Sequence, residues 1–190
     1  MPCGEYRGKY MTQEGHAALC TEIDSLLEQL RNKRAHSADK AARSTGSTSF
    51  GVRAPDGVSD EHDMLRGRIT ELTFQKNEVT VIKPPTVREY VRIDTVVTLT
   101  YAVQESATGR VSRVRRRYHI VGHGEGDCSQ PIPRIAYDCP LAAPFLGKEK
   151  GFKTIVMIDK KKRTVEVTAV YLPTDAFVRR INNRELQKAA

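Results

Sequence analysis

Two stretches decide the fold: Leu19-Cys-Thr-Glu-Ile23-Asp-Ser-Leu26-Leu-Glu-Gln-Leu30 and, further on, Leu65-Arg-Gly-Arg-Ile69-Thr-Glu-Leu72. In the first, Leu19, Ile23, Leu26 and Leu30 recur at spacings of four, three and four. In the second, Leu65, Ile69 and Leu72 do the same, with Val79 a heptad beyond Leu72. This is the narrow apolar seam of a coiled coil, flanked by Glu, Lys and Arg. A helix packed on a globular core carries a broader stripe.

Pairing the seams as Leu30 with Leu65, Leu26 with Ile69 and Ile23 with Leu72 gives residue numbers of constant sum. A constant sum means antiparallel pairing about one turning point, which falls near Ser47 and Thr48. The sequence there, Ser44-Thr-Gly-Ser-Thr-Ser-Phe-Gly51, has turn composition. Thr12 is placed to cap the first helix, its hydroxyl accepting a first-turn N–H. The helix is expected over Thr12 to about Arg43, with a length of about 45 Å. Ser59 is the expected cap of the second helix, after a loop marked by Pro55 and Gly57; Asp60 and Glu61 suit its positive end. Between Ala35 and Ser59 there is no strong apolar heptad.

After Lys83-Pro84-Pro85 the period becomes strand-like. Tyr90 to Val103 and Arg110 to Val121 form an expected hairpin about Ser106 to Gly109. Ile132 to Tyr137 is a short third strand, and Leu141 to Leu146 a helical turn. Phe152 to Ile158 and Thr164 to Tyr171 flank Asp159-Lys-Lys-Lys-Arg163 as a last hairpin. The expected class is α+β: an antiparallel coiled-coil hairpin over 1–82, a β-rich domain over 83–172, and a basic tail over 173–190.

The composition bounds the chemistry. The chain has 190 residues, 39% apolar and 28% charged, and a net charge of +8. Such a balance favours an acidic partner: nucleic acid, or the acidic surface of a nucleic-acid machine. Arg113, Arg115 and Arg117 alternate on one strand face, with Arg116 opposite, and are candidates for a nucleic-acid contact. No run approaches the roughly 20 apolar residues of a membrane span, and Met1 to Met11 has no apolar leader. A cytoplasmic monomer with no membrane partner is expected. The cysteines Cys3, Cys20, Cys128 and Cys139 form no C-x-x-C pair. His119 and His123 would lie roughly 13 Å apart on a strand, too far to share an ion, so no metal or other cofactor is expected. Gly122-His-Gly-Glu-Gly-Asp127 matches no complete phosphate motif and reads as a glycine-rich turn.

Further signals lie between Tyr118 and Leu172. Tyr118-His-Ile-Val-Gly122, then Asp138-Cys-Pro-Leu141 with Phe145-Leu-Gly-Lys148, then Gly151 and the strand Val165 to Leu172, resemble the C-terminal motifs of the bacterial Gre family of transcription elongation factors. Met11-Thr12, Gly15 and Gly67-Arg-Ile69 resemble the family's hairpin. The resemblance covers about 160 residues and is more specific in its C-terminal part. It implies an FKBP-like second domain that docks on bacterial RNA polymerase at the secondary channel, and a coiled coil that enters the channel. It also implies two acidic tip residues that help hold the polymerase's Mg²⁺ and activate water, so that the polymerase cuts its own backtracked transcript. Such a factor is not itself an enzyme. By the same resemblance, Asp138, Pro140, Leu141, Phe145, Leu146 and Gly147 fall in the polymerase-docking segment.

One departure matters. Lys40 to Pro55 contains no Asp or Glu; Arg43, Ser47, Thr48, Phe50 and Arg53 occupy the expected tip. Cationic side chains repel Mg²⁺. The expectation is a channel-binding regulator that does not stimulate cleavage. The alternative is a cleavage factor whose tip lies near Gly57, using Asp56, Asp60, Glu61 and Asp63. Two further readings are a prolyl isomerase, suggested only by the fold, and a module contacting transcript RNA or DNA through the arginine face.

Overall fold

A computed structural model describes residues 8–44, 57–104, 111–175 and Val178, without side chains over 37–44 and 57–60 or at Gln104. In chain order it contains β1 (Lys9–Thr12), α1 (Gln13–Ser44), α2 (Gly57–Glu78), β2 (Val79–Ile82), β3 (Thr95–Gln104), β4 (Val111–Val121), β5 (Arg134–Ala136), β6 (Lys153–Ile158) and β7 (Lys161–Tyr171). A 3₁₀ turn spans Ala143–Phe145. The class is α+β, as expected.

The chain divides into two compact units, His16–Val79 and a unit made of Met1–Gly15 with Thr80–Ala190. Among the described residues, 8–15 group with the β-rich unit, whereas the sequence division at residue 82 puts them with the hairpin. The reason is a small sheet that local periodicity does not reveal, in which β1 pairs with β2. Val79 therefore continues no heptad. Val79-Thr-Val-Ile82 carries three β-branched apolar residues and leaves the helix for a strand. Within the expected tail, Val178 is buried with Val96 and Ile132 on the sheet.

In the helical unit the seams are where periodicity puts them. Leu19, Ile23, Leu30 and Leu72 are buried, and Leu26, Leu65 and Ile69 half-buried. Each fully buried leucine or isoleucine contributes about 1.5–3 kcal/mol from apolar burial. Cross-helix pairs report the antiparallel register: Arg68 Nη2 lies 3.2 Å from Glu22 Oε1, and Lys33 Nζ is paired with Glu61. The next seam steps outward are Lys33 and His62, both half-buried. The seam therefore turns polar beyond Leu30 and Leu65, which accounts for the missing heptads after Ala35. Helix α2 starts at Gly57, so Ser59 lies inside its first turn and is not its cap.

The β-rich unit is built on a five-stranded sheet of order β5-β4-β3-β7-β6. The β3–β4, β3–β7 and β6–β7 pairs are antiparallel, whereas β5 lies parallel to β4 with Ile120 opposite Ile135. The expected strands are present with shifted ends: β3 starts later, at Thr95, and β7 earlier, at Lys161. The last hairpin is tighter than expected. Asp159 and Lys160 alone make the turn, with φ of 53° and 61°, and Lys161 already belongs to β7. Two successive positive φ values fit the right-handed twist of a two-residue hairpin. One sheet face carries the core, in which Val97, Leu99, Ile120, Val165, Val167 and Phe145 are at most 1% exposed. The turn expected at Ser106 to Gly109 lies outside the described residues.

Candidate functional site: the docking segment and its clamp

Strand β4 ends at Val121, and the loop 122–133 leads to β5. The segment expected from the resemblance to dock follows directly. Tyr137 N–H donates to Val121 O at 2.9 Å, Cys139 N–H to Ala136 O at 3.1 Å, and Ala142 N–H to Cys139 O at 3.0 Å. These bonds fold Asp138-Cys-Pro-Leu141 into a tight protrusion, with Pro140 restricting its backbone. Asp138 and Pro140 are exposed, and Leu141 is half-buried. Asp138 Oδ2 lies 2.7 Å from His123 Nδ1, so the loop holds the carboxylate in one position.

Phe145 and Leu146 are elsewhere. Phe145 is fully buried and meets Phe152 edge-to-face, with centroids 6.4 Å apart; Leu146 is 7% exposed in the same core. Neither presents a surface to a partner. They anchor the protrusion from below, because the 3₁₀ turn points Phe145 into the sheet. Gly147 N–H donates to Val91 O at 2.8 Å and closes the segment against the chain entering β3.

Beside this segment is a constellation that sequence reading missed. Glu125, in the glycine-rich loop, accepts from Thr12 N–H and from Thr12 Oγ1, each at 2.7 Å. Its Oε2 lies 3.4 Å from Arg134 Nη2, and the carboxylate is 6% exposed. Thr12 is the helix cap that periodicity indicated: Gly15 N–H donates to its Oγ1 at 2.9 Å. In a capping box the third helical residue supplies a carboxylate that reaches back to the cap N–H. Here that residue is Gly15, and Glu125 supplies the carboxylate from a remote part of the chain. A Cβ on Gly15 would lie 2.2 Å from Glu125 Cδ. One on Gly122 would lie 2.3 Å from Glu125 Oε1 and 2.6 Å from Met11 Cα. Both glycines are therefore required by close approach. The visible signal is Thr12-Gln-Glu-Gly15, a capping box lacking its acid.

The remaining candidates divide. Arg113 and Arg115 are exposed on the face of β4 opposite the core, whereas Arg117 is half-buried on the same face. Glu61 is paired with Lys33 on α1, which holds its carboxyl below the usual range. Asp63 is exposed, with Arg66 Nη1 at 3.6 Å. Asp60 lies in the first turn of α2, and Arg43 in the last turn of α1. The side chains of Asp60 and Arg43, together with Ser47, Thr48, Phe50, Arg53 and Asp56, lie outside the described residues. His119 Nε2 lies 3.0 Å from Asp94 Oδ1, so each histidine of the spaced pair has its own carboxylate. Among the described residues no group of three His, Cys, Asp or Glu side chains is arranged to hold a metal ion. No described helix is long and apolar enough to cross a membrane.

No family model matches the chain. It is 33% identical to transcription elongation factor GreA of Bacillus cereus (strain ATCC 14579) over 162 residues, which is 84% of this chain and 94% of the relative. It is 33% identical to the GreA of Bacillus cytotoxicus with the same coverage. To that of Halorhodospira halophila it is 28% identical over 111 residues, 58% of this chain and 65% of the relative. Among solved structures, Gfh1, the GreA factor homolog 1 of Thermus thermophilus, is 18% identical with a TM-score of 0.33, over 87% of this chain and 99% of that one. With one-third identity to GreA sequences along almost their whole length, this chain belongs to the GreA family of transcription elongation factors.

Proposed function

We propose that this protein is an elongation regulator that occupies the secondary channel of RNA polymerase without stimulating transcript cleavage. The β-rich unit docks through the protrusion carrying Asp138 and Pro140, and the helical hairpin enters the channel. The single observation that carries the second half is the position of Glu61. Glu61 stands beside Lys33, and α1 continues for eleven residues beyond Lys33 to Ser44. At 1.5 Å per residue that is about 16 Å. Glu61 is therefore on the stem of the hairpin, neutralised by a lysine, rather than at its end. The segment that joins the helices has no acidic residue until Asp56. Cleavage needs hard carboxylate oxygens on the catalytic Mg²⁺. Between Lys40 and Pro55 the charged residues of this hairpin are all cationic: Lys40, Arg43 and Arg53.

The test is transcript length in stalled, backtracked polymerase complexes supplied with Mg²⁺ and the full-length protein. The expected result is unshortened transcripts, with protection against cleavage induced by an authentic cleavage factor. Shortened transcripts, lost in an Asp60→Ala, Glu61→Ala variant, would overturn the inert-hairpin reading. Neither shortening nor competition would overturn the docking.

A further inference from the structure

The five-stranded sheet has two faces, and the core occupies one. The opposite face is partly covered by the small cluster of Val96, Ile132 and Val178. The rest of it forms an open groove of about 640 Å³ lined by Thr100, Ala102, Arg113, Arg115, Lys153 and Thr168, among others. The strand register places its charges. Arg115 lies opposite Thr100, Thr100 opposite Glu166, and Glu166 opposite Lys153. Arg115 and Lys153 thus face each other across three strand spacings, about 14 Å. Arg113 is two residues along β4 from Arg115, about 7 Å farther on the same wall.

The balance of charge across the groove is positive. Glu166, its acidic residue, is committed to Lys153, with Nζ to Oε2 at 3.4 Å. Arg113 and Arg115 have no ion pair or hydrogen bond among the described residues, so both guanidiniums are available. Between the arginine wall and the Lys153–Glu166 pair the floor is hydroxyl-bearing. Thr100 Oγ1 lies 3.2 Å from Thr168 Oγ1, and Thr168 Oγ1 also donates to Thr98 O. Arginine guanidiniums contact a phosphate backbone, while these hydroxyls, bonded to each other and to Thr98 O, only keep the floor polar. A protein partner usually anchors an aromatic or aliphatic side chain in an apolar pocket, and this floor of threonines offers none.

We infer that the groove bounded by Arg113, Arg115 and Lys153 binds the sugar-phosphate backbone of a nucleic acid, without reading its bases. Tyr101 also lines the groove, but it is 5% exposed and belongs to the core cluster, so it offers no open ring face as a stacking platform. Binding therefore depends on charge and shows little preference among sequences. The groove shares no residue with the Asp138 protrusion, so its use does not depend on polymerase docking.

The experiment measures fluorescence anisotropy of labelled 20-nucleotide RNA and DNA homopolymers with the full-length protein over a range of KCl concentrations. An Arg113→Ala, Arg115→Ala variant is expected to bind about tenfold more weakly at low salt. Its slope of log affinity against log salt should fall by about 1.4, the value for two phosphate contacts on a single strand. The Arg113→Lys, Arg115→Lys variant should restore most of the binding. A Lys83→Ala, Lys150→Ala variant, losing the same charge elsewhere on the unit, should bind normally. Equal weakening in that control, or no change in the arginine variant, would overturn the proposal. So would displacement of RNA by polyglutamate at matched charge concentration, which would assign the groove to an acidic protein. Unchanged thermal melting of the arginine variant establishes that any loss is local.

Discussion

Replacing Gly15 with alanine normally favours a helix by up to about 1 kcal/mol, because alanine loses less backbone entropy. Here the sign should reverse. The new Cβ would sit 2.2 Å from Glu125 Cδ, 2.4 Å from Oε1 and 2.7 Å from Oε2. The carboxylate must swing away, and it takes with it both bonds to Thr12 and the contact with Arg134. Hydrogen bonds to a charged group contribute about 1.5–3 kcal/mol each, and water recovers part of that for a carboxylate that moves outward. Set against the helix gain, Gly15→Ala should destabilise the β-rich unit by about 2–3 kcal/mol. In a chain of this size that lowers its melting temperature by about 5–10 °C. Glu125→Ala alone should cost a similar amount. In the Glu125→Ala background the space beside Gly15 is open, so adding Gly15→Ala should be neutral or slightly stabilising. A thermodynamic cycle of the four proteins, measured by urea unfolding, should return a coupling of about 3 kcal/mol. Additive effects, or a Gly15→Ala protein that melts higher than wild type, would refute the assignment of Glu125 as the remote acid of the helix cap.

Asp127 accepts from the hydroxyl and backbone N–H of Ser129 and from Gln130, which hold its carboxyl down to about 2. Any stability it contributes is present above the usual aspartate range and is lost as pH falls through about 2; Ser129→Ala should move its NMR titration upward. Lys33→Ala should let Glu61 return toward an ordinary glutamate titration, since the Lys33 ammonium is the main cause of its lowering. Leu72→Ala should destabilise the helical unit by about 2–4 kcal/mol, whereas Met64→Ala, at a 76% exposed position, should stay within about 0.5 kcal/mol. Asp138→Ala and Pro140→Ala should weaken polymerase binding with little change in melting, while Phe145→Ala should lower both, by about 3–5 kcal/mol in stability; equal melting of all three would refute the placement of Phe145 as an anchor.

The hairpin and most strands were legible because each rests on a local repeat. Leu19, Ile23, Leu26 and Leu30 state a helical seam within twelve residues, and the constant-sum pairing with Leu65, Ile69 and Leu72 states its antiparallel partner. Thr12 was legible as a cap for the same reason, since its target N–H is three residues away. The segment from Asp138 to Gly147 was recognisable as a motif, but the motif does not separate what points out from what points in. Asp138 and Pro140 reach the surface, whereas Phe145 and Leu146 are core, and the direction of one 3₁₀ turn decides this.

What the sequence by itself determined was therefore short-range: two amphipathic helices, the antiparallel β-hairpins, the +8 charge and the acid-free stretch between Lys40 and Pro55. Only the tertiary structure decided which distant groups meet. It brought β1 to β2 and so joined residues 8–15 to the β-rich unit. It set β5 parallel to β4, delivered Glu125 to Thr12 across 113 positions, and paired Glu61 with Lys33 on the stem. A repeat is written in neighbouring residues, so it can be read from them. A carboxylate's partner is settled by the free energy of burying and pairing it, which depends on everything the fold packs around it.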